Sequence, residues 1–395
     1  MIDDQAPLAG LRVVELSSFV AAPLGGMTLA QLGADVVRVD PIGGGPDLGR
    51  WPLAPSGRSL YWTGLNKGKR SLTVDLRSAR GRELVAGLAA AAGTLVTNAP
   101  PRPGLAYEEL LERRPDLVYA RLLGHRDGRN AVDYTVNAEL GFPYVTGPER
   151  HGAPVNHVLP AWDVACGLYL AVGLLAADRQ RTATGRGRRI ELALHDVALA
   201  TAGNLGYLAQ AQFGESRPRI GNDLYGDLGR DFGTADGRRV MVVVLTERHW
   251  HDLVTATGLA RVVAALEQAL PADFRRDRDR YAHREALAGL LAPWFAARTA
   301  AEVDKALAGT SVLWARYRTF AEAATDLGRH PLMAELRQPG VGPHLAPGSP
   351  LVLDGRQAPP EPAPDLGGDA ETVLGDLLGL PPAQVAALRA DGVIG

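Results

Sequence analysis

The chain has 395 residues, enough for two or three domains and a sizeable core. Its 42 Lys+Arg and 44 Asp+Glu leave a net charge of −2, which excludes the overall basic excess of a nucleic-acid binder but not a local basic patch. A hydrophobic fraction of 46%, a charged fraction of 22% and one cysteine exclude global disorder, an intrachain disulfide framework and a cysteine-only zinc site.

Met1–Pro7 carries two acids and lacks the basic-then-apolar order of a signal peptide. Leu11–Leu16 reads as a short buried strand, followed by a Pro/Gly-rich turn over Ala22–Gly26. Met27–Leu32 reads as a helix stopped by Gly33, and Asp35–Val39 as a second strand. A β-α-β unit of this kind implies parallel strands with a right-handed crossover. The alternation continues with strands at Ser71–Leu76, Thr94–Thr97 and Leu117–Leu122, and helices at Ala79–Ala91 and Tyr107–Arg114. It marks an α/β domain with a mostly parallel sheet.

Val164–Gln180 reads as a buried helix rich in small residues. Its apolar run, Val164–Ala177, is too short to span a bilayer, so a soluble cytoplasmic protein is expected. Arg189–Leu194 is strand-like and Asp196–Gln212 helical. These residues close a large domain at 1–212. The Gly- and charge-rich stretch 213–237 reads as a linker. A smaller α+β domain follows at 238–320, from the strand Arg238–Leu245, helices at Trp250–Gly258, Tyr281–Phe295 and Ala300–Leu307, and the strand-like Val312–Tyr317. The charge run Arg275–Arg280 reads as a solvated helix end. Residues 321–395 return to the large domain through a Pro/Gly-rich arm at Gln338–Gly367 and two terminal helices.

Asp163 directly precedes the apolar helix, where the plain reading is a helix N-cap. The same place also suits a nucleophile: the macrodipole favours its ionised form, an ionised carboxylate can attack an activated acyl group, and backbone N–H groups at the helix start can hold an oxyanion. Asn156 and His157 lie just upstream and offer donors to a carboxylate or thioester oxygen. The cations of Asn66–Arg70 and Arg102 read either as solvated turns or as a polyphosphate cradle. Gly43–Gly45 is a weak phosphate-loop signal, and Cys166 reads as a small buried residue. No hydrolase or metal motif is present, so no resident metal is expected.

Several runs together resemble the class III CoA-transferases, the family of formyl-CoA and carnitine CoA-transferases and α-methylacyl-CoA racemase. They are Pro7–Leu16, Ala21–Pro23, Leu32–Asp40, Asn66–Asp75 and Thr184–Gly187. Longer runs at Phe19–Val36, Asp40–Gly45, Gly64–Ser71, Val132–Thr135, Asn156–Asp163 and Gly229–Phe232 resemble the branch that moves CoA between the two carboxylates of one dicarboxylic acid. The resemblance implies a Rossmann-like large domain plus a small domain, and two interlocked chains forming a homodimer. It implies Asp163 as the catalytic aspartate and coenzyme A as part of an acyl-CoA substrate, with no permanent cofactor, nucleic acid or membrane as partner. Contacts to CoA are implied at Val20, Ala21, Val74, Asp75, Leu76, Arg77, Asn98, Ala99, Pro100 and Asp133, with Arg102 a further candidate. Asn156, His157 and Arg126 are the expected holders of the free carboxylate. Val132 stands where the racemase branch needs a histidine, which argues against racemisation. An intermolecular transferase and a non-catalytic CoA binder remain alternatives.

Overall fold

The computed structural model describes residues 6–395. The first half of the chain alternates strands and helices: β1 (Arg12–Leu16), α1 (Ala21–Ala30), β2 (Asp35–Asp40), α2 (Leu60–Leu65), β3 (Arg70–Thr73) and α3 (Ala79–Ala92). Then come β4 (Thr94–Thr97), α4 (Tyr107–Arg113), β5 (Val118–Leu123), α5 (Asp133–Glu139) and α6 (Phe142–Val145). The long α7 (Ala161–Thr184) leads to β6 (Arg188–Ala193), α8 (Leu194–Asn204) and α9 (Tyr207–Gln212). The second half holds β7 (Leu228–Gly233), β8 (Arg239–Val244), α10 (Glu247–Thr257), α11 (Ala260–Ala269), α12 (Asp277–Ala282), α13 (Arg284–Ala296) and α14 (Ala300–Leu307). It ends with β9 (Leu313–Arg316), α15 (Phe320–Ala324), β10 (Met333–Gln338), β11 (Gly342–Pro347), β12 (Val352–Leu353), β13 (Arg356–Gln357), α16 (Ala370–Leu378) and α17 (Pro382–Ala390).

Two compact units result. The first comprises residues up to Leu140, Val158–Ala209 and Asp326–Gly395. Its sheet has the order β3-β2-β1-β4-β5-β6, all parallel. The chain builds outward from β1 to β3, then returns to build from β4 to β6 on the other side. The order therefore reverses between β1 and β4, and a crevice outside the carboxyl ends of such strands is where doubly wound sheets bind ligands. β1 to β4 are buried along nearly their whole length, as expected for strands covered by helices, with Glu15, Arg38 and Asp40 among the buried side chains, while the edge strand β6 is largely exposed. Val14, Leu72, Val85, Leu88 and Leu95 form a core that α16 and α17 complete through Val373, Leu374 and Val385.

The second unit comprises Gly141–His157 and Gln210–Thr325. Its antiparallel sheet β7-β8-β9 packs on helices through Phe232, Val240, Val242, Leu287, Leu291 and Phe295. Phe232 and Phe295 stack with centroids 4.4 Å apart.

Several elements differ from the sequence reading, each for a physical reason. Ala22–Gly26 is no turn: it is the body of α1. The two glycines are there for close approach, not for flexibility. A Cβ on Gly25 would come 2.9 Å from Gly167 O, and one on Gly26 would come 1.7 Å from Glu15 Oε2. The helix read over Asp196–Gln212 breaks into α8 and α9, with Gly206 between them at φ +81°. The stretch read as linker carries β7, whose short alternation is masked by Gly229 and Gly233. The charge run at Arg275–Arg280 is not simply solvated. Arg280 is 1% exposed and forms a two-bond ion pair with Asp227 at 2.6 and 2.8 Å.

The apolar helix is longer than expected. At 24 residues, α7 has the length and composition to cross a membrane. In the first unit it instead packs on α1, α8, β5 and β6, with Cys166, Leu170 and Leu174 buried.

Candidate active site

The carboxyl ends of β1 and β4 present two loops to each other. Ser18 N–H donates to Asn98 Oδ1 at 3.1 Å, and Asn98 Nδ2 donates back to Ser18 O at 2.9 Å. Phe19 then adopts φ +66°, a left-handed conformation that is strained for an aromatic residue. Its N–H is held by Asp47 Oδ2 at 3.0 Å. The loop thus turns sharply into α1, whose first turn has no side-chain cap. Those first-turn amides sit at the sheet's reversal point and retain the positive end of the helix dipole.

Asp47 is fixed in turn by a buried network. Arg38 bonds Asp40, Asp47 and Asn66 at 2.9–3.1 Å, and Lys69 bonds both Glu15 oxygens, Pro23 O and Asn66 Oδ1 at 2.8–3.0 Å. Burial opposes the Lys69 ammonium and lowers it to about 8, while Glu15 pulls the other way. Lys67 is also buried, bonding Pro347 O, and Arg70 pairs with Asp35 and Asp376. The three cations of Asn66–Arg70 are therefore neither solvated nor a phosphate cradle. They fasten β3 and the base of the α1 loop.

Asp163 is not the N-cap of α7. The helix begins at Ala161 after Pro160, so Asp163 is its third residue. The capping carboxylate comes from α5: Asp133 Oδ2 accepts from Trp162 N–H at 2.7 Å and from Asp163 N–H at 3.2 Å. One turn along α5, Asn137 Oδ1 accepts from Trp162 Nε1 at 3.1 Å. Ala161 N–H and Val164 N–H bond Leu159 O and Pro160 O. The first four amides of α7 are thus all occupied, and the expected oxyanion donors at this helix start are already in use.

With its helix capped by another residue, the half-buried Asp163 side chain is left for chemistry. Burial first, then the Asp133 charge, raises its carboxyl from 3.8 to about 6, against the pull of Arg50. The macrodipole was expected to keep it strongly ionised; desolvation outweighs that. At neutral pH roughly nine in ten molecules still carry the carboxylate. A poorly solvated, more basic carboxylate that remains mostly ionised suits attack on an acyl carbon.

The α1 start adjoins this group. A Cβ on Gly167, one turn after Asp163, would come 2.6 Å from Ala21 O. Arg50 lies 5.5 Å from the Phe19 ring and 4.9 Å from the Tyr61 ring. Tyr61 is raised by burial, then influenced by Arg50 and Asp163. Sequence reading missed Arg50 and Tyr61, which have no motif and meet Asp163 only in the fold.

The remaining expected residues distribute as follows. Val20 and Ala21 head α1 with buried side chains, so they can offer a ligand only backbone. Val74 is fully buried and bridges Ile394, while Asp75, Leu76 and the exposed Arg77 lead into α3. Leu76, Ala99, Pro100 and Arg102 meet around a cavity of about 20 Å³ whose floor is Leu16, Leu95 and Thr97. The Arg102 Nε atom is buried there without a hydrogen-bond partner. These segments follow the carboxyl ends of β1, β3 and β4. Arg126 is exposed and held by Asp196 at 2.6 Å, and is not among the charges acting on Asp163. Asn156 and His157 lie in irregular chain of the second unit, exposed and half-buried respectively. Cys166 is buried, with its thiol pushed up to about 12 by burial and then by Asp163, as suits a packing residue.

A sequence model described as CoA-transferase family III matches residues 8–370. The chain belongs to that family, and it is an enzyme of CoA transfer. It is 50% identical over 401 aligned residues to 2-methylfumaryl-CoA isomerase of Chloroflexus aurantiacus, covering 98% of this chain and 97% of that protein. It is 29% identical to succinyl-CoA–D-citramalate CoA-transferase of the same organism, over 98% of each chain. Among solved structures, a CaiB/BaiF family protein from Brucella suis matches with a TM-score of 0.77 and 26% identity, over 94% of this chain and 99% of that one.

Proposed function

We propose that the protein converts 2-methylfumaryl-CoA to 3-methylfumaryl-CoA by intramolecular CoA transfer through Asp163. The observation that carries this reading is the 50% identity to an isomerase of that name along nearly the full length of both chains. The mounting of Asp163 is consistent with it.

In the proposed sequence, the Asp163 carboxylate attacks the thioester carbonyl and expels CoA thiolate, forming a mixed anhydride. The thiolate attacks the aspartyl carbonyl of the anhydride, leaving an aspartyl-CoA thioester and free mesaconate dianion. The acid reorients and attacks that thioester with its other carboxylate, again releasing thiolate. Attack of the thiolate on the new acyl carbonyl gives the product and regenerates Asp163. The α1 first-turn amides are the proposed oxyanion donors, since those of α7 are occupied. Arg50 is the proposed cation for the retained carboxylate. Arg102, the α1 start and the loops following β3 and β4 are proposed to hold CoA.

The test is mass spectrometry of 2-methylfumaryl-CoA incubated with purified protein and no added acid, beside Asp163→Asn. The expected result is 3-methylfumaryl-CoA, lost in the variant. The 29% identity to an intermolecular transferase supports a second reading in which the acid exchanges with solution. Incorporation of labelled free mesaconate into product would favour it. A homodimer belongs to the same proposal. Leu168, Tyr169 and Val172 expose an apolar row along α7, and sedimentation analysis would give the mass.

A further inference from the structure

We propose that His125, Glu139 and His195 form a binding site for one zinc-class divalent ion, which braces α5, the helix whose Asp133 caps the helix carrying Asp163. His125 lies in the loop after β5, Glu139 in the last turn of α5 and His195 in the first turn of α8. His125 Nε2 is 3.5 Å from Glu139 Oε1, and His195 Nε2 is 3.7 Å from Glu139 Oε2. The two imidazoles face each other with centroids 4.7 Å apart and planes 31° apart. All three sets of ligand atoms lie within 4.8 Å of one another.

A tetrahedral ion with bonds of about 2.0–2.2 Å places its ligand atoms roughly 3.3–3.6 Å apart. Each histidine Nε2 thus already lies near a loaded-site distance from one oxygen of Glu139, His125 from Oε1 and His195 from Oε2. Glu139 is half-exposed at a helix end and has room to settle. An independent observation points the same way. His125 is only 3% exposed, and its Nε2 makes no hydrogen bond although it is aimed at this cluster. A buried nitrogen whose nearest acceptor, Glu139 Oε1, is too poorly placed to form a hydrogen bond is costly, and a metal bond would satisfy it.

The donor set chooses the ion. Two imidazoles and one carboxylate suit zinc and its transition-metal neighbours, whereas magnesium and calcium favour all-oxygen shells. Three protein ligands leave a fourth position for water. Coordination through His125 Nε2 requires the proton on Nδ1. Arg129 Nη2, at 3.4 Å from Nδ1, must then move aside. That contact is long, and the exposed Arg129 has its main partner in Asp127 at 2.8 Å.

The position gives the ion a role. It would tie the β5 loop and α8 to the C-terminal end of α5. The N-terminal end of α5 carries Asp133, whose carboxylate caps α7 and raises Asp163. The ion is a brace, remote from any reacting bond, and the inference holds whichever acid the enzyme transfers.

The experiment uses tag-free full-length protein, stripped with chelator and dialysed, then titrated calorimetrically with Zn²⁺ and separately with Mg²⁺. The expected result is one Zn²⁺ per chain and no Mg²⁺ binding. His195→Ala and Glu139→Gln should each weaken Zn²⁺ more than about 100-fold, beyond the 10–100-fold typical of losing an outer-shell partner. Zn²⁺ should raise the melting temperature of the parent protein and not of these variants. Both positions are partly exposed, and circular dichroism checks that the variants are folded. Should either unfold, Co²⁺ bound to the parent protein decides, through the intense visible bands of four-coordinate cobalt. Absence of stoichiometric Zn²⁺ binding, unchanged affinity in folded variants, or a Co²⁺ complex lacking those bands would overturn the proposal.

Discussion

Asp163→Asn should make the protein inactive and, near neutral pH, more stable. The wild-type carboxyl is raised from 3.8 to about 6 by burial and by Asp133. The folded state therefore binds the proton more tightly than the unfolded chain, and stability falls as pH rises through the window between those two values. The shift corresponds to ~3 kcal/mol of lost stability once both states are ionised, at ~1.4 kcal/mol per unit. An asparagine has no such charge to desolvate, but it forfeits the favourable interaction of a carboxylate with the first turn of α7, worth ~0.3–1 kcal/mol. Partial exposure reduces the gain further, so a net stabilisation of about 1–2 kcal/mol is expected at pH 7.5, shrinking towards zero near pH 4. Urea unfolding of the two proteins at both pH values measures it. A variant equal to or less stable than wild type at pH 7.5, or a difference independent of pH, would refute the argument that desolvation controls this side chain.

The same value predicts an acid limb in kcat/KM near pH 6, seen in a pH profile, because in the proposed mechanism only the carboxylate attacks. Asp133→Asn removes the neighbouring charge and should move that limb to lower pH, a displacement that a purely structural role would not produce. Asp133→Ala deletes the acceptor for two buried amides of α7 and should cost ~1–3 kcal/mol in urea unfolding. Gly26→Ala drives a methyl into Glu15 beside Lys69; breaking that buried pair should cost ~3–5 kcal/mol, read from the urea midpoint. Arg280→Leu in the second unit leaves Asp227 buried without its cation, with a loss of similar size.

Much of the first unit was legible because a parallel sheet writes itself as apolar runs separated by helices. Thr94–Thr97 is strand β4 with the same bounds as expected, and Ala79–Ala92 extends the expected helix by one residue. The errors concentrate where a residue's job depends on a distant partner. Gly25 and Gly26 look like turn residues until Gly167 and Glu15 are placed against them. Lys69 looks like a solvent charge until Glu15, fifty-four positions away, closes on it. Asp163 looks like a cap until α5 supplies Asp133. Local spacing carries helix and strand periodicity, but it carries no information about which segments meet.

The use of the α7 N-terminus shows why that matters for chemistry. A helix start attracts a carboxylate, and the obvious economy would let one aspartate both cap and react. A capping carboxylate, however, is held by two amides and loses basicity. Here Asp133 takes both amides, is only 1% exposed, and also sits close enough to repel charge on Asp163. Separating the two roles leaves Asp163 more basic and partly desolvated. In the proposed mechanism α5 therefore helps set the basicity of the attacking carboxylate through the Asp133 charge. Loss of the Asp133 cap would free the Trp162 and Asp163 amides of α7 and remove the charge that helps raise Asp163.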